Sequence, residues 1–193
     1  MADEKGAGRG TVHDPRVLRA IAHPVRNRIL EELSASGPMR AADVAEQLAV
    51  PANQASFHLR QLAKYGLVEE APELARDGRD RVWRVVHEEG VSVNLEELAQ
   101  QDGGKAAVTV FRKQWSAEAH DAISRAEHAE RHKDATVAVS SSALRLTKAE
   151  ARELAGDLNE LIDEWRLKGQ RERKGARTYE VLWVLQPARE LES

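Results

Sequence analysis

The sequence predicts a mainly α chain with small β elements (α+β), and three observations carry that prediction. Apolar residues recur at spacings of three and four along most of the chain, the signature of amphipathic helices. Two short strand-like runs, Leu67–Ala71 and Arg81–Val86, flank the turn Asp77-Gly78-Arg79-Asp80. Composition agrees: 41% hydrophobic and 32% charged residues with only 4% aromatics suit a helix-rich globule. At 193 residues there is room for one large domain or two small ones. The order of signals divides the chain into a lead (1–13), a helical module ending in a ribbon (14–90), a linker with a long helix (91–134), and a strand-helix-strand unit (135–193).

The lead, MADEKGAGRGTVH, has no apolar core, so it is no signal peptide, and its Gly and charge content predict disorder. Asp14-Pro15 then supplies an N-cap and a first helical residue, with Val17, Leu18 and Ile21 as the apolar side. His23-Pro24 repeats the device, and Val25, Ile29, Leu30 and Leu33 form a second apolar face before Ser36-Gly37-Pro38 ends it. Arg26 and Arg28 are expected to be solvated or paired with nearby acids such as Glu31 and Glu32, with phosphate contact as the alternative.

The stretch from Met39 to Val86 organises the rest. A helix over about Arg40 to Leu48 carries Ala41, Val44, Ala45 and Leu48 on one face, and Pro51 stops it. A second helix runs from about Ala52 to Lys64, with Ala55, Leu59 and Leu62 inward and Gly66 as terminator. Its opposite face holds Asn53, Phe57, Arg60, Gln61 and Lys64, with Gln54, Ser56 and His58 on the flanks. Amides match adenine edges, arginine matches guanine or phosphate, and an exposed Phe matches a thymine methyl. Arg76, Arg79 and Arg81 surround the turn of the ribbon. Helix, turn, helix and β-ribbon is the plan of a winged helix-turn-helix, which predicts double-stranded DNA as partner. All eight polar or aromatic positions of the second helix and the three wing arginines are candidate DNA contacts. Against this stands the charge: net −3 for the chain, and eleven Lys+Arg to twelve Asp+Glu from Asp14 to Glu89. A basic surface must therefore be local, and a winged helix used for protein–protein contact alone is the rival reading.

The segments LRAIAHPVRNRILEEL and ADVAEQLAVPANQASFHLRQLAKYGLVEE resemble an ArsR-type winged-helix regulator. The resemblance rests on His23-Pro24-x-Arg26-x-x-Ile29-Leu30, on Ser56-x-His58-Leu59-x-x-Leu62, and on Gly66-Leu67-Val68. It covers about residues 14–90 and implies a dimer that binds an operator, usually as a repressor. Phe57 stands where relatives carry a polar or basic residue, so base preference does not carry over.

Beyond the ribbon, 87–93 is expected to be a linker, Asn94–Leu98 a short helical turn, and Gln100–Gly104 a break. A helix from about Lys105 to Lys133 bears the stripe Val108, Phe111, Trp115, Ala119, Ala122, Ala126 and Ala129, small enough for close helix approach. Val108, Phe111, Trp115, Ala119 and Ala122 are the candidate homodimer interface, with packing on the chain's own C-terminal segment as the alternative. His120, His128 and His132 lie on the charged side of that helix, where solvated histidines are the expectation rather than a zinc half-site. Their spacing also departs from the Asp-x-His pattern of resembling metal sensors. Without cysteine there is neither disulfide nor thiolate ligand.

The last third reads as a strand over Val137–Leu146, a capping box Thr147-x-x-Glu150, a helix with Leu154, Leu158, Leu161, Ile162 and Trp165, and a strand over Thr178–Leu185. Two strands alone are marginal, so the unit needs a partner sheet or helix. Trp115, Trp165, Tyr179 and Trp183 are expected as core anchors; an effector pocket between this unit and the long helix, lined by the same four, is the alternative. No phosphate loop, nucleophile elbow or metal motif occurs, and Ser140–Ser142 have no base arrangement nearby, so no catalytic residue, metal or cofactor is expected. The longest apolar run, Val181–Leu185, is too short to span a bilayer, which predicts a cytoplasmic protein without membrane contact.

Overall fold

The computed structural model describes residues 9–75, 80–128, 136–170 and 175–188. Its architecture is α+β: helices surround two small sheets, and one hydrophobic core lies within the N-terminal module. Helix α1 (Pro15–Ile21) starts where expected, the Asp14 carboxylate accepting from the Arg16 amide at 2.7 Å. Helix α2 (Pro24–Ser36) follows after a single turn. Arg26 corrects the expectation of a solvated or acid-paired side chain. Its Nε donates to the Ala20 carbonyl at 2.7 Å and its Nη2 to that of Arg19 at 3.1 Å, satisfying acceptors that the end of α1 leaves open.

Strand β2 (Met39–Arg40) leads into α3 (Ala41–Gln47), and α4 (Ala52–Lys64) follows a tight turn. In that turn Ala49 adopts φ +52°, a left-handed conformation that L-residues other than Gly, Asn and Asp seldom take. Gly66, at φ +67°, ends α4, and the Leu67 amide reaches back to the Leu62 carbonyl at 3.1 Å. Strands β3 (Val68–Glu70) and β4 (Val82–Val85) make the ribbon, and β2 pairs on the other edge, giving an antiparallel order β2-β4-β3. Leu18, Ile29, Leu33, Val44, Leu59, Leu62 and Val68 are fully buried among these elements, with Trp83 capping the sheet side. Each such side chain contributes roughly 1.5–3 kcal/mol on burial.

Two segments depart from expectation. Residues 10–12, assigned to a disordered lead, form β1 (Gly10–Val12), and part of the 87–93 linker forms β5 (Val91–Val93). The two pair in parallel, Gly10 with Val91 and Val12 with Val93, and Val12 enters the core. Strands of three residues are too short to show a period, and parallel pairing of distant segments leaves no local signal.

Helix α5 (Leu95–Ala99) is capped by Asn94 and buries Leu98. Helix α6 (Gly104–Glu127) begins against it so closely that a Cβ on Gly104 would lie 1.8 Å from the Leu98 carbonyl oxygen. The first turns of α6 pack on α1, which buries Val108 and seats Phe111 on the core of its own module. That removes Val108 from the candidate dimer interface and draws Phe111 largely inward. Residues 129–135, onto which the helix was expected to run, lie outside the described residues.

Helix α7 (Lys148–Gly169) carries the expected capping box: the Thr147 hydroxyl accepts from the Glu150 amide, and the Glu150 carboxylate from that of Thr147 at 2.7 Å. It lies against α2, yet no residue of it is fully buried. The flanking stretches Val137–Leu146 and Thr178–Leu185 are not paired strands, which corrects the strand-helix-strand unit to a helix between two unpaired segments. Among the described residues, neither stretch has a backbone partner on either edge, and an isolated strand gains none of the cross-strand contacts that stabilise a sheet. Of the four aromatics expected as core anchors, Trp165 is 62% exposed, Tyr179 55% and Trp115, on α6, 46%, while Trp183 is half-buried.

Candidate nucleic-acid interface

Helix α4 presents two chemically distinct faces. Ala55, Leu59 and Leu62 are fully buried. Asn53, Phe57, Arg60 and Lys64 are exposed, while Gln54, Ser56 and Gln61 are half-buried at the flanks. Phe57, at 50% exposure, holds an apolar surface outward that the module's core does not claim. No acidic residue occurs from Pro51 to Leu67, and among the described residues neither Arg60 nor Lys64 is engaged in an ion pair. The chain's near-neutral balance therefore coexists with one uncompensated basic helix face.

His58 is corrected from contact residue to core residue. It is 5% exposed, and its ring lies 4.7 Å from that of His23 at 46°. The Phe57 ring meets it edge-on at 5.3 Å. Among the described residues neither Nδ1 of the pair has a hydrogen-bond partner. Burial pushes both imidazoles below the ordinary histidine range; the Arg26 charge adds to it for both, and His23 acts on His58 as well. The pair is thus held neutral between the start of α2 and the recognition-type helix. The sequence signal available for this was the projection itself, since His58 flanks the apolar stripe.

The ribbon brings its cations into local pairs. Arg81 meets Glu70 at 3.2 Å, and Arg84 bridges Glu69 at 2.7 Å and Glu73 at 2.6 Å. Arg40, at the edge strand, pairs with Asp43 and Asp80. Arg84 was missed in the sequence; its cross-strand register with Glu69 was the readable hint. Arg76 and Arg79 lie outside the described residues.

Residues 21–71 match the helix-turn-helix domain family. That stretch therefore carries a helix-turn-helix domain. The match spans α2 to β3, and the second strand of the ribbon follows it. No curated protein matches the chain. Among solved structures, a variant of ZitR from Lactococcus lactis in apo form is 16% identical, with 75% of this chain and 83% of that chain covered and a TM-score of 0.33. Apo MarR from E. coli is 16% identical over 77% and 87%, TM-score 0.32. A MarR variant complexed with operator DNA is 16% identical over 77% and 84%, TM-score 0.30. Likenesses so distant carry no function across.

Away from α4, a cavity of about 240 Å³ lies between α2, α6 and residues 180–182. Asn27, Glu31, Phe111, Trp115, Glu118 and Leu182 are among its walls; of the four aromatics expected around a pocket, only Trp115 reaches it. Glu31 keeps part of its surface open to solvent, yet burial of its carboxyl, with Glu180 and Glu118 near, pushes its pKa up to about 7. On α6, the His120 and His128 rings bond to the carbonyls of Ser116 and Ser124, one turn back; His132 lies outside the described residues. Among the described residues, no three His, Cys, Asp or Glu are grouped to hold a metal, and no helix is long and apolar enough to cross a membrane.

Proposed function

We propose that this chain is a dimeric, sequence-specific transcriptional repressor of the ArsR type that reads double-stranded DNA with α4. One observation carries the reading: α4 turns Ala55, Leu59 and Leu62 into the core and leaves Asn53, Phe57, Arg60 and Lys64 outward with no acid among them. That combination offers base edges an amide, a guanidinium and an apolar ring while phosphates meet only positive charge. Gln54, Ser56 and Gln61 complete the face from its flanks. The wing contributes position rather than specificity. Its described arginines, Arg81 and Arg84, are ion-paired on the surface, where such pairs are worth about 0–1 kcal/mol, so a phosphate displaces Glu70 from Arg81 at little cost.

A two-fold dimer suits a palindromic operator. The part of the α6 stripe that stays outward, Trp115 with Ala119 and Ala122, is its contact on that helix. A cytoplasmic location is the reading in keeping with DNA as partner. An effector acting through the cavity is the second reading, favoured because its walls join α2, which packs on α4, to α6 and residues 180–182. A protein-only adaptor is the weaker rival, since it leaves the acid-free face of α4 unexplained.

Selection of duplexes from genomic fragments gives the operator, and Arg60→Ala then tests the reading. A folded Arg60→Ala protein should lose roughly 1–3 kcal/mol of binding, with relaxed preference at one base position. Unchanged affinity and preference would remove Arg60 from the interface.

A further inference from the structure

The segment Thr178–Leu185 is held in place by its side chains, yet among the described residues its backbone pairs with no other backbone. The Thr178 hydroxyl donates to Glu32 at 3.0 Å, and Arg125 on α6 grips Glu180 at 2.6 Å. Val181 and Leu182 close one wall of the cavity. Among the described residues, however, no backbone–backbone hydrogen bond forms anywhere from 178 to 185. The sequence, TYEVLWVL, is rich in β-formers, holds one charge and has no glycine or proline. Tyr179, Val181, Leu182, Val184 and Leu185 are all exposed, Val181 by 66%.

An anchored, apolar, unpaired strand is what natural proteins avoid leaving open, because it templates pairing with another chain. Protection is sparse here: the run has no lysine and no proline, its one charge is Glu180, and its large apolar side chains stay exposed among the described residues. We propose that this segment pairs antiparallel with the same segment of a second copy, so that one sheet crosses the two-fold axis of the dimer. The inference rests on the dimer reading above and locates the main contact outside α6.

Three features favour a second copy over a foreign chain. First, the segment is self-compatible. Pairing centred on Val181 sets Tyr179 opposite Trp183 and Glu180 opposite Leu182, and no charge faces a like charge. Second, a two-fold pairing is closed, and Pro187 just beyond the run limits its length, so one partner satisfies the edge without building a filament. Third, the run has apolar surface to bury: Tyr179, Val181, Leu182, Val184 and Leu185 are all exposed, as are seven further large apolar side chains between Val137 and Leu167.

The test uses the full chain in sedimentation velocity across a concentration series, with hydrogen exchange of the peptide covering 178–185. The wild type should be a dimer whose 178–185 amides are protected and lose protection on dilution. Val184→Pro, which removes an amide at an exposed position, should weaken the dimer at least tenfold; Val184→Thr should keep it. Should Val184→Pro fail to fold, the concentration dependence of wild-type exchange decides alone. A wild-type dimer whose 178–185 amides exchange freely, or a Val184→Pro dimer as tight as wild type, overturns the inference and leaves the dimer reading standing. A chain monomeric at every concentration overturns both, and a foreign protein bound at this edge by a monomer does the same.

Discussion

Acidification should weaken this fold through the His23–His58 pair, and a single substitution should remove one ring's share of that effect. Both rings are neutral in the folded chain because burial and the Arg26 charge disfavour the imidazolium. In the unfolded chain each titrates near the ordinary value of about 6.5. The folded values lie lower, so the full stability is present above about pH 6.5 and is lost as pH falls toward the folded values. The steepest loss is about 1.4 kcal/mol per pH unit for each ring, so about 2.7 for two. His58→Leu deletes one titrating ring and one buried Nδ1 that has no partner, a group that costs about 1–3 kcal/mol when left unsatisfied. Leucine would pack against the His23 and Phe57 rings that flank this site without a polar atom to satisfy, so the variant should be at least as stable as wild type at pH 7.5. Urea unfolding at pH 7.5, 6.0 and 5.0 provides the assay, read as the difference between the two proteins so that carboxylates cancel. Wild type should lose more stability per pH unit below 6.5 than His58→Leu, by up to about 1.4 kcal/mol. Parallel curves would refute the buried-pair argument.

Two further substitutions probe the backbone and the cavity. Ala49→Gly relieves a left-handed residue, worth about 1–2 kcal/mol of strain, against a Gly entropy cost of about 0.5–1, so a net gain of about 0.5 kcal/mol is expected in the urea midpoint; a loss would mean the turn tolerates alanine without strain. Glu31→Gln acts with the opposite pH sign from the histidines. A carboxyl raised to about 7 from 4.5 binds its proton more tightly when folded, so wild type loses stability as pH rises from 4.5 through 7. Because Glu31 is exposed and screened, the variant should gain only about 1 kcal/mol at pH 8 and nothing at pH 4.5. An equal gain at both would assign the effect to something other than charge.

How far the sequence could be read depended on whether the deciding interaction was local. Helix α4 matched its predicted limits because Pro51, Gly66 and the Ala55-Leu59-Leu62 stripe act within one or two turns. The outward side of that helix was legible for the same reason, except at its edge. His58 sits beside the stripe, and whether it is buried depends on His23, contributed by the start of α2. Val108 failed similarly: its stripe was correctly seen, but the partner is α1 of the same chain rather than a second subunit. The pairing of β1 with β5 spans about eighty residues and could not be seen from three-residue runs. In the last third the β pattern was clear, yet pattern alone cannot supply the neighbour that strands require.

The central claim is that α4 is a DNA-reading surface, and the salt dependence of duplex binding tests it most directly. Full-length protein, titrated with a selected duplex at several salt concentrations, should show log K falling linearly with log salt. The Arg60→Ala and Lys64→Ala double variant should flatten that slope by one to two phosphate equivalents, each about 0.9. Binding that ignores salt, or a double variant with the wild-type slope and affinity, would contradict the account and return α4 to the role of a protein-contact helix.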